Sequence, residues 1–146
     1  MIDVLTIPDF LDADVCSRVL SEMLVSQGRP AVVYGKEAGG AVDSSVRRVE
    51  RVNVSSTTSD VLTQALIAKR HIIERHFGIE LGDPEEPQFL HYRPGDFFVA
   101  HQDGNTPMIH DDTRFRKISV VIFLNQHCEA PMDGAYSGGS LVLHGA

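Results

Sequence analysis

The stretch HYRPGDFFVAHQDGN, residues 91–105, is aromatic and apolar until it presents His101, Gln102 and Asp103. Side chains alternate across a strand, so His101 and Asp103, two positions apart, fall on one face at its end. An imidazole beside a carboxylate can bind a divalent metal, serve as an acid–base pair, or make a surface hydrogen bond. Pro94-Gly95, just upstream, reads as a turn between two short strands, QFLHYR and DFFVAHQ.

The remaining sequence narrows these options. A chain of 146 residues is long enough to bury one hydrophobic core. It has no apolar run near the roughly 20 residues needed to cross a bilayer. The opening MIDVLTIPDFLDADV has early acids and no basic n-region, unlike a signal peptide, so a cytoplasmic address and no membrane partner are expected. The two cysteines, Cys16 and Cys128, are far apart and read as reduced thiols rather than a zinc site. A net charge of −7 argues against a nucleic-acid partner, because phosphate neutralisation needs a basic surface. The local basic run VRRVER, residues 46–51, reads as the solvated face of a strand.

Apolar periodicity predicts a helix from Ala13 to about Val25 behind an Asp12 N-cap. Val15, Val19 and Met23 join Cys16, Leu20 and Leu24 in its stripe. QGRP, residues 27–30, breaks it, and VRRVERVNV alternates like a strand. A second helix is expected from about Ser59 to Phe77, with Leu62, Leu66, Ile73 and Phe77 in its core and Gly78 as its stop. Beyond LGDPEEP the pattern changes to short strands. KISVVIFLN (Lys117 to Asn125) and SLVLH (Ser140 to His144) follow the two already noted. Helices first and strands afterwards give an α+β chain, mainly helical over 1–83 and strand-forming over 84–146, as a single domain.

YRPGDFFVAHQDG, RKISVVIFLNQ and SGGSLVLHG follow one another in the order and spacing of the Fe(II)/2-oxoglutarate dioxygenases of the prolyl 4-hydroxylase type, which the sequence resembles. IPDFLDADVCSRVL is similar to the helix that begins many of those domains, so the resemblance covers nearly the whole chain. It implies N-terminal helices packed on a double-stranded β-helix, the jelly-roll core shared with cupins. It also implies Fe(II) as the metal, 2-oxoglutarate as co-substrate, ascorbate as a reductant, and hydroxylation of a peptidyl, amino-acid or small-molecule C–H bond with release of succinate and CO2. His101 and Asp103 match two ligands of a 2-His-1-carboxylate triad. Tyr92 stands where relatives have a tyrosine near the co-substrate, although a core aromatic with a bonded hydroxyl reads equally well. Phe123 occupies a position where some relatives place a tyrosine donor, with Asn125 closing the same strand. Arg114 and Arg116 lie in the loop where relatives contact substrate, and their plain reading is solvated surface.

The family's second histidine, and the basic residue that pairs with the far carboxylate of 2-oxoglutarate, come well after the glycine pair Gly138-Gly139. The sequence ends at Ala146 before either. Only the first strands of the jelly roll are therefore expected, as in an N-terminal fragment with little activity of its own. His144 aligns with the strand after the glycine pair rather than with the distal ligand, and His110 and His127 lie in polar loops. Two other readings compete: a non-catalytic jelly-roll binding module, and a cupin-like metalloenzyme, the latter disfavoured because those sites more often begin HxH.

Overall fold

The computed structural model describes residues 2–33, 40–104, 115–130 and 132–144. Its elements run α1 (Ala13–Val25), β1 (Gly28–Pro30), β2 (Arg47–Arg48), β3 (Glu50–Val52), α2 (Ser56–Phe77), β4 (Phe89–His91) and β5 (Phe97–Phe98). The chain is α+β, with two helices and antiparallel sheets. It divides into two units: Met1–Ser26, Val54–Pro87 and Ile122–Ala146 form the first, which carries both helices. Gln27–Asn53 and Gln88–Val121 form the second, which carries the five strands found among the described residues. No helix among the described residues is long and apolar enough to cross a membrane.

In the first unit, α1 has the boundaries its apolar stripe predicts, and Val19 and Met23 are buried. Leu24 departs from that expectation, being 72% exposed. Asp12 takes the extended N-cap conformation, but its side chain makes no capping bond. The cap of α2 is more elaborate. Ser55 is the N-cap, and its hydroxyl accepts the Thr58 amide at 3.2 Å, so the helix begins three residues before the expected Ser59. Glu22, on the last turns of α1, accepts hydrogen bonds from the Ser55 amide and the Thr58 hydroxyl. These bonds hold the Glu22 carboxyl below its ordinary range, the Thr58 hydroxyl contributing most and partial desolvation opposing. At the other end Gly78 adopts the left-handed conformation, φ 64°, that a Cβ would penalise, and its amide closes onto the Glu74 carbonyl at 2.9 Å. Leu62 and Ile73 are buried, as expected; Leu66 and Phe77 are half-buried.

The second unit is organised by one continuous segment, Arg47–Val52, that serves two sheets. Its first part, β2, pairs with β5 in the register Arg47↔Phe98 and Arg48↔Phe97. Its second part, β3, lies between β1 and β4, with Glu50↔His91 and Val52↔Phe89 on one side and Gly28↔Val52 on the other. Val49, buried at the junction, accepts the Ala31 amide at 3.0 Å. Buried Val52 and Phe89 are a direct cross-strand pair, the unit by which sheets gain stability. Residues 27–30 end α1 as expected but go on to form β1. A Cβ at Gly28 would come within 3.0 Å of the Glu50 carboxyl carbon, so the Glu50 side chain would have to shift to admit a larger residue. Glu50 in turn accepts from Arg93 at 2.8 Å.

β2 and β3 fall in the run VRRVERVNV, expected to alternate as a strand, and β1 adds Gly28–Pro30 within the part read as mainly helical. Two expectations are corrected. First, the basic run 46–51 is not uniformly solvated, because Arg47 is buried. Second, neither Lys117–Asn125 nor Ser140–His144 forms a strand among the described residues. Val120, Val121 and Phe123 in the former are exposed, as are Leu141, Val142 and Leu143 in the latter. Alternation and β-branched composition prepare a segment for a sheet, but a hydrogen-bonding neighbour completes a strand. Gly138 and Gly139 have positive φ, 70° and 61°, as a tight turn requires.

Candidate functional site

The chain reaches His101 through a turn and a short ladder. Pro94 and Gly95 fill the central positions of a turn closed by Asp96 N–H to Arg93 C=O at 2.9 Å. Gly95 has φ 86°, the arrangement of a type II turn. The Asp96 carboxylate accepts the Arg93 amide at 2.9 Å and lies 3.6 Å from Arg48, fixing the entry to β5. Each arginine of β2 lies over the phenylalanine it pairs with: Arg47 is 4.6 Å from the Phe98 centroid, and Arg48 is 5.1 Å from that of Phe97. Beyond β5, Val99 N–H still bonds to Val46 C=O at 3.0 Å.

The Val99 carbonyl lies 2.7 Å from Nδ1 of His101. A carbonyl only accepts, so Nδ1 carries the proton in this bond. In the neutral ring Nε2 then presents a lone pair, and Nε2 lies 2.9 Å from Oδ1 of Asp103. Two acceptors at that separation repel unless a proton or another cation lies between them. A protonated ring would make this an ordinary ion pair. A divalent cation fits the same spacing: bonds of about 2.1 Å to nitrogen and oxygen, set at a right angle, put the two donors about 3.0 Å apart. A metal-bound histidine also characteristically donates its second N–H to a carbonyl or carboxylate, as His101 does to Val99.

Both side chains are open to solvent, His101 37% and Asp103 49% exposed. The imidazole stacks on Phe98, ring centroids 3.5 Å apart and planes within 17°. Arg116 donates through Nη1 to the main-chain carbonyl of Asp103 at 2.8 Å and is half-buried, so one substrate-loop candidate holds the backbone of the acidic residue. Arg47 donates to the Val32 carbonyl at 2.9 Å and also reaches the Tyr92 hydroxyl. Partial burial pushes the Tyr92 phenol up, with Asp96 adding and Arg47 opposing, so the hydroxyl keeps its proton at neutral pH.

The structure thus brings together His101, Asp103 and Arg116, with Phe98 against the imidazole. Arg47 links Phe98 to Tyr92. Phe123 and Asn125 belong to the first unit, where Phe123 is exposed and stacked 6.1 Å from Tyr136, and Asn125 is half-buried. His127 packs edge-on against the same tyrosine at 5.3 Å, and His144 is exposed. Arg114 and His110 lie outside the described residues. Among the described residues, no group of three or more His, Cys, Asp or Glu is placed to hold a metal. Sequence reasoning missed Arg47, Phe98 and the Val99 carbonyl. Alternation along DFFVAH puts Phe98 and His101, three apart, on opposite faces, so no pattern in the sequence pointed to Phe98.

Comparison with protein-family models, curated proteins and solved structures returns no match.

Proposed function

We propose that the chain is an Fe(II)- and 2-oxoglutarate-dependent dioxygenase domain of the prolyl 4-hydroxylase type, built on a double-stranded β-helix. It would hydroxylate a peptidyl, amino-acid or small-molecule C–H bond. One observation carries the reading: Nε2 of His101 lies 2.9 Å from a carboxylate oxygen of Asp103 while its Nδ1–H is committed to a carbonyl. A separation of roughly 3 Å is what two donors at neighbouring corners of an octahedral metal would have. In this reading Nε2 of His101 and Oδ1 of Asp103 hold the ion, Val99 sets the imidazole direction, and Arg116 steadies the Asp103 backbone. Tyr92, protonated, offers a donor to a co-substrate carboxylate. The bound metal would supply activation of dioxygen coupled to decarboxylation of the 2-oxo acid, with ascorbate keeping it reduced. A cytoplasmic address belongs to the same proposal, supported by Cys16 and Cys128 as free thiols.

The test is an anaerobic Fe(II) titration in the presence and absence of 2-oxoglutarate, followed by visible absorption. A charge-transfer band that needs both components, and that disappears in His101→Ala and Asp103→Ala, is expected. A folded chain that gives no such band, or mutants that keep it, would show that the two residues form only a surface hydrogen-bonded pair.

A further inference from the structure

Fixing an imidazole as a ligand takes two constraints. A hydrogen bond at Nδ1 sets the direction of Nε2 within the ring plane, and something else must set the plane. Val99 C=O supplies the first constraint at 2.7 Å. The second comes from Phe98, whose ring lies nearly parallel to the imidazole at a centroid separation of 3.5 Å. Phe98 is itself held, because its cross-strand partner Arg47 places a guanidinium 4.6 Å from its ring centroid. Arg47 is anchored by a 2.9 Å bond to the Val32 carbonyl and is only 9% exposed, an unusual location for an arginine. Burying a guanidinium costs free energy that its partners must offset, so its presence on this ladder calls for a use.

We propose that Arg47 is a positioning residue for His101, acting through Phe98. The buried guanidinium fixes the phenyl ring, the ring fixes the imidazole plane, and the Nε2 lone pair is thereby aimed where the Asp103 carboxylate can share a cation with it. This rests on the metal reading above and adds to it the residues that hold the ligand in place. The sheet pairing of β2 with β5 is part of the device, because a register slip would move Arg47 to the opposite face of the ladder.

Co(II), whose bound form absorbs in the visible, is titrated into the full 146-residue chain and into Phe98→Leu, Arg47→Met and Arg47→Lys. Circular dichroism reports which variants are folded. Loss of an outer-shell partner typically weakens metal affinity roughly 10–100-fold, and that loss is expected for Phe98→Leu and Arg47→Met. Arg47→Lys should recover part of it, since an ammonium keeps a charge over the ring while giving up the planar fork. A role confined to fold stability would lower the melting temperature and leave the cobalt affinity of the folded protein unchanged. That result in Phe98→Leu and Arg47→Lys would overturn the proposal even if Arg47→Met fails to fold. Absence of cobalt binding in the wild-type chain, or binding that survives His101→Ala, counts instead against the metal reading. The positioning claim is then judged by long-range proton–nitrogen NMR of the His101 ring. A single Nδ1–H form in the wild type that becomes a mixture in Phe98→Leu supports it, and the same form in both overturns it.

Discussion

Replacing Arg116 with methionine separates two roles for this side chain. Nη1 of Arg116 bonds to the Asp103 carbonyl at 2.8 Å across 13 positions of sequence, so it ties residue 103 to residue 116. Methionine keeps much of the apolar stem and deletes the donor. On the proposed metal reading, the Asp103 backbone would then be ordered on binding rather than beforehand. Fixing one residue's backbone costs about 1–2 kcal/mol, which corresponds to a loss of affinity of roughly 5–30-fold. Isothermal titration of Co(II) into wild type and Arg116→Met at one pH and ionic strength measures this directly. His101→Ala is the reference for full loss. A substrate contact predicts a different outcome, with cobalt affinity unchanged and the deficit confined to the KM of the hydroxylated substrate. Equal cobalt affinities in folded wild type and Arg116→Met would refute the backbone-positioning argument.

Two further outcomes test the packing of the helical unit. Leu62 on α2 is 3% exposed, so Leu62→Ala should cost about 2–5 kcal/mol in urea unfolding, whereas Leu24→Ala, at a position 72% exposed, should change stability by no more than about 0.5 kcal/mol. The Glu22 carboxyl is held below its ordinary value of 4.5, so the charged form is the one the fold favours. Its contribution is therefore fully present above pH 4.5 and is lost as pH falls through the lower folded value. Glu22→Gln should be less stable than wild type at neutral pH and should converge with it in acid. A stability difference between the two that is independent of pH would contradict the Thr58 and Ser55 bonds as its source.

Periodicity located features whose causes are local. The stripe Val15, Val19, Met23 marks α1, and Gly78 marks the end of α2 because the helix closes there on a left-handed residue, φ 64°. Where a long-range partner decides, the sequence is ambiguous. The run Ser55 to Ser59 contains five hydroxyl residues, each able to cap a helix, and Glu22, 33 positions earlier, bonds the Ser55 amide and settles the choice. Gly28-Arg29-Pro30 has little intrinsic preference for a strand, yet pairing with β3 makes it one. Alternation puts Arg47 and Val49 on one face without saying that this face is covered. Residues 117–125 and 140–144 show the converse: strand-like patterns whose described residues lack ladder partners.

The placement of the histidine and aspartate at the end of a strand also has a physical account. Within an antiparallel ladder, carbonyls are engaged by the neighbouring strand and are poorly placed to accept from their own chain. Val99 marks the end of the ladder: its amide still bonds to Val46, and its carbonyl accepts from His101 two residues later. A hydrogen bond of this kind needs a chain that turns sharply after its last paired residue. That turn also brings Asp103 within 2.9 Å of the imidazole, whereas alternate residues on an extended strand stand about 6–7 Å apart along its axis. The proximity of the two side chains therefore does not come from the shared face expected of strand alternation. His101 and Asp103 meet because the strand has ended between Phe98 and His101, and the carbonyl released there holds the ring that meets the carboxylate.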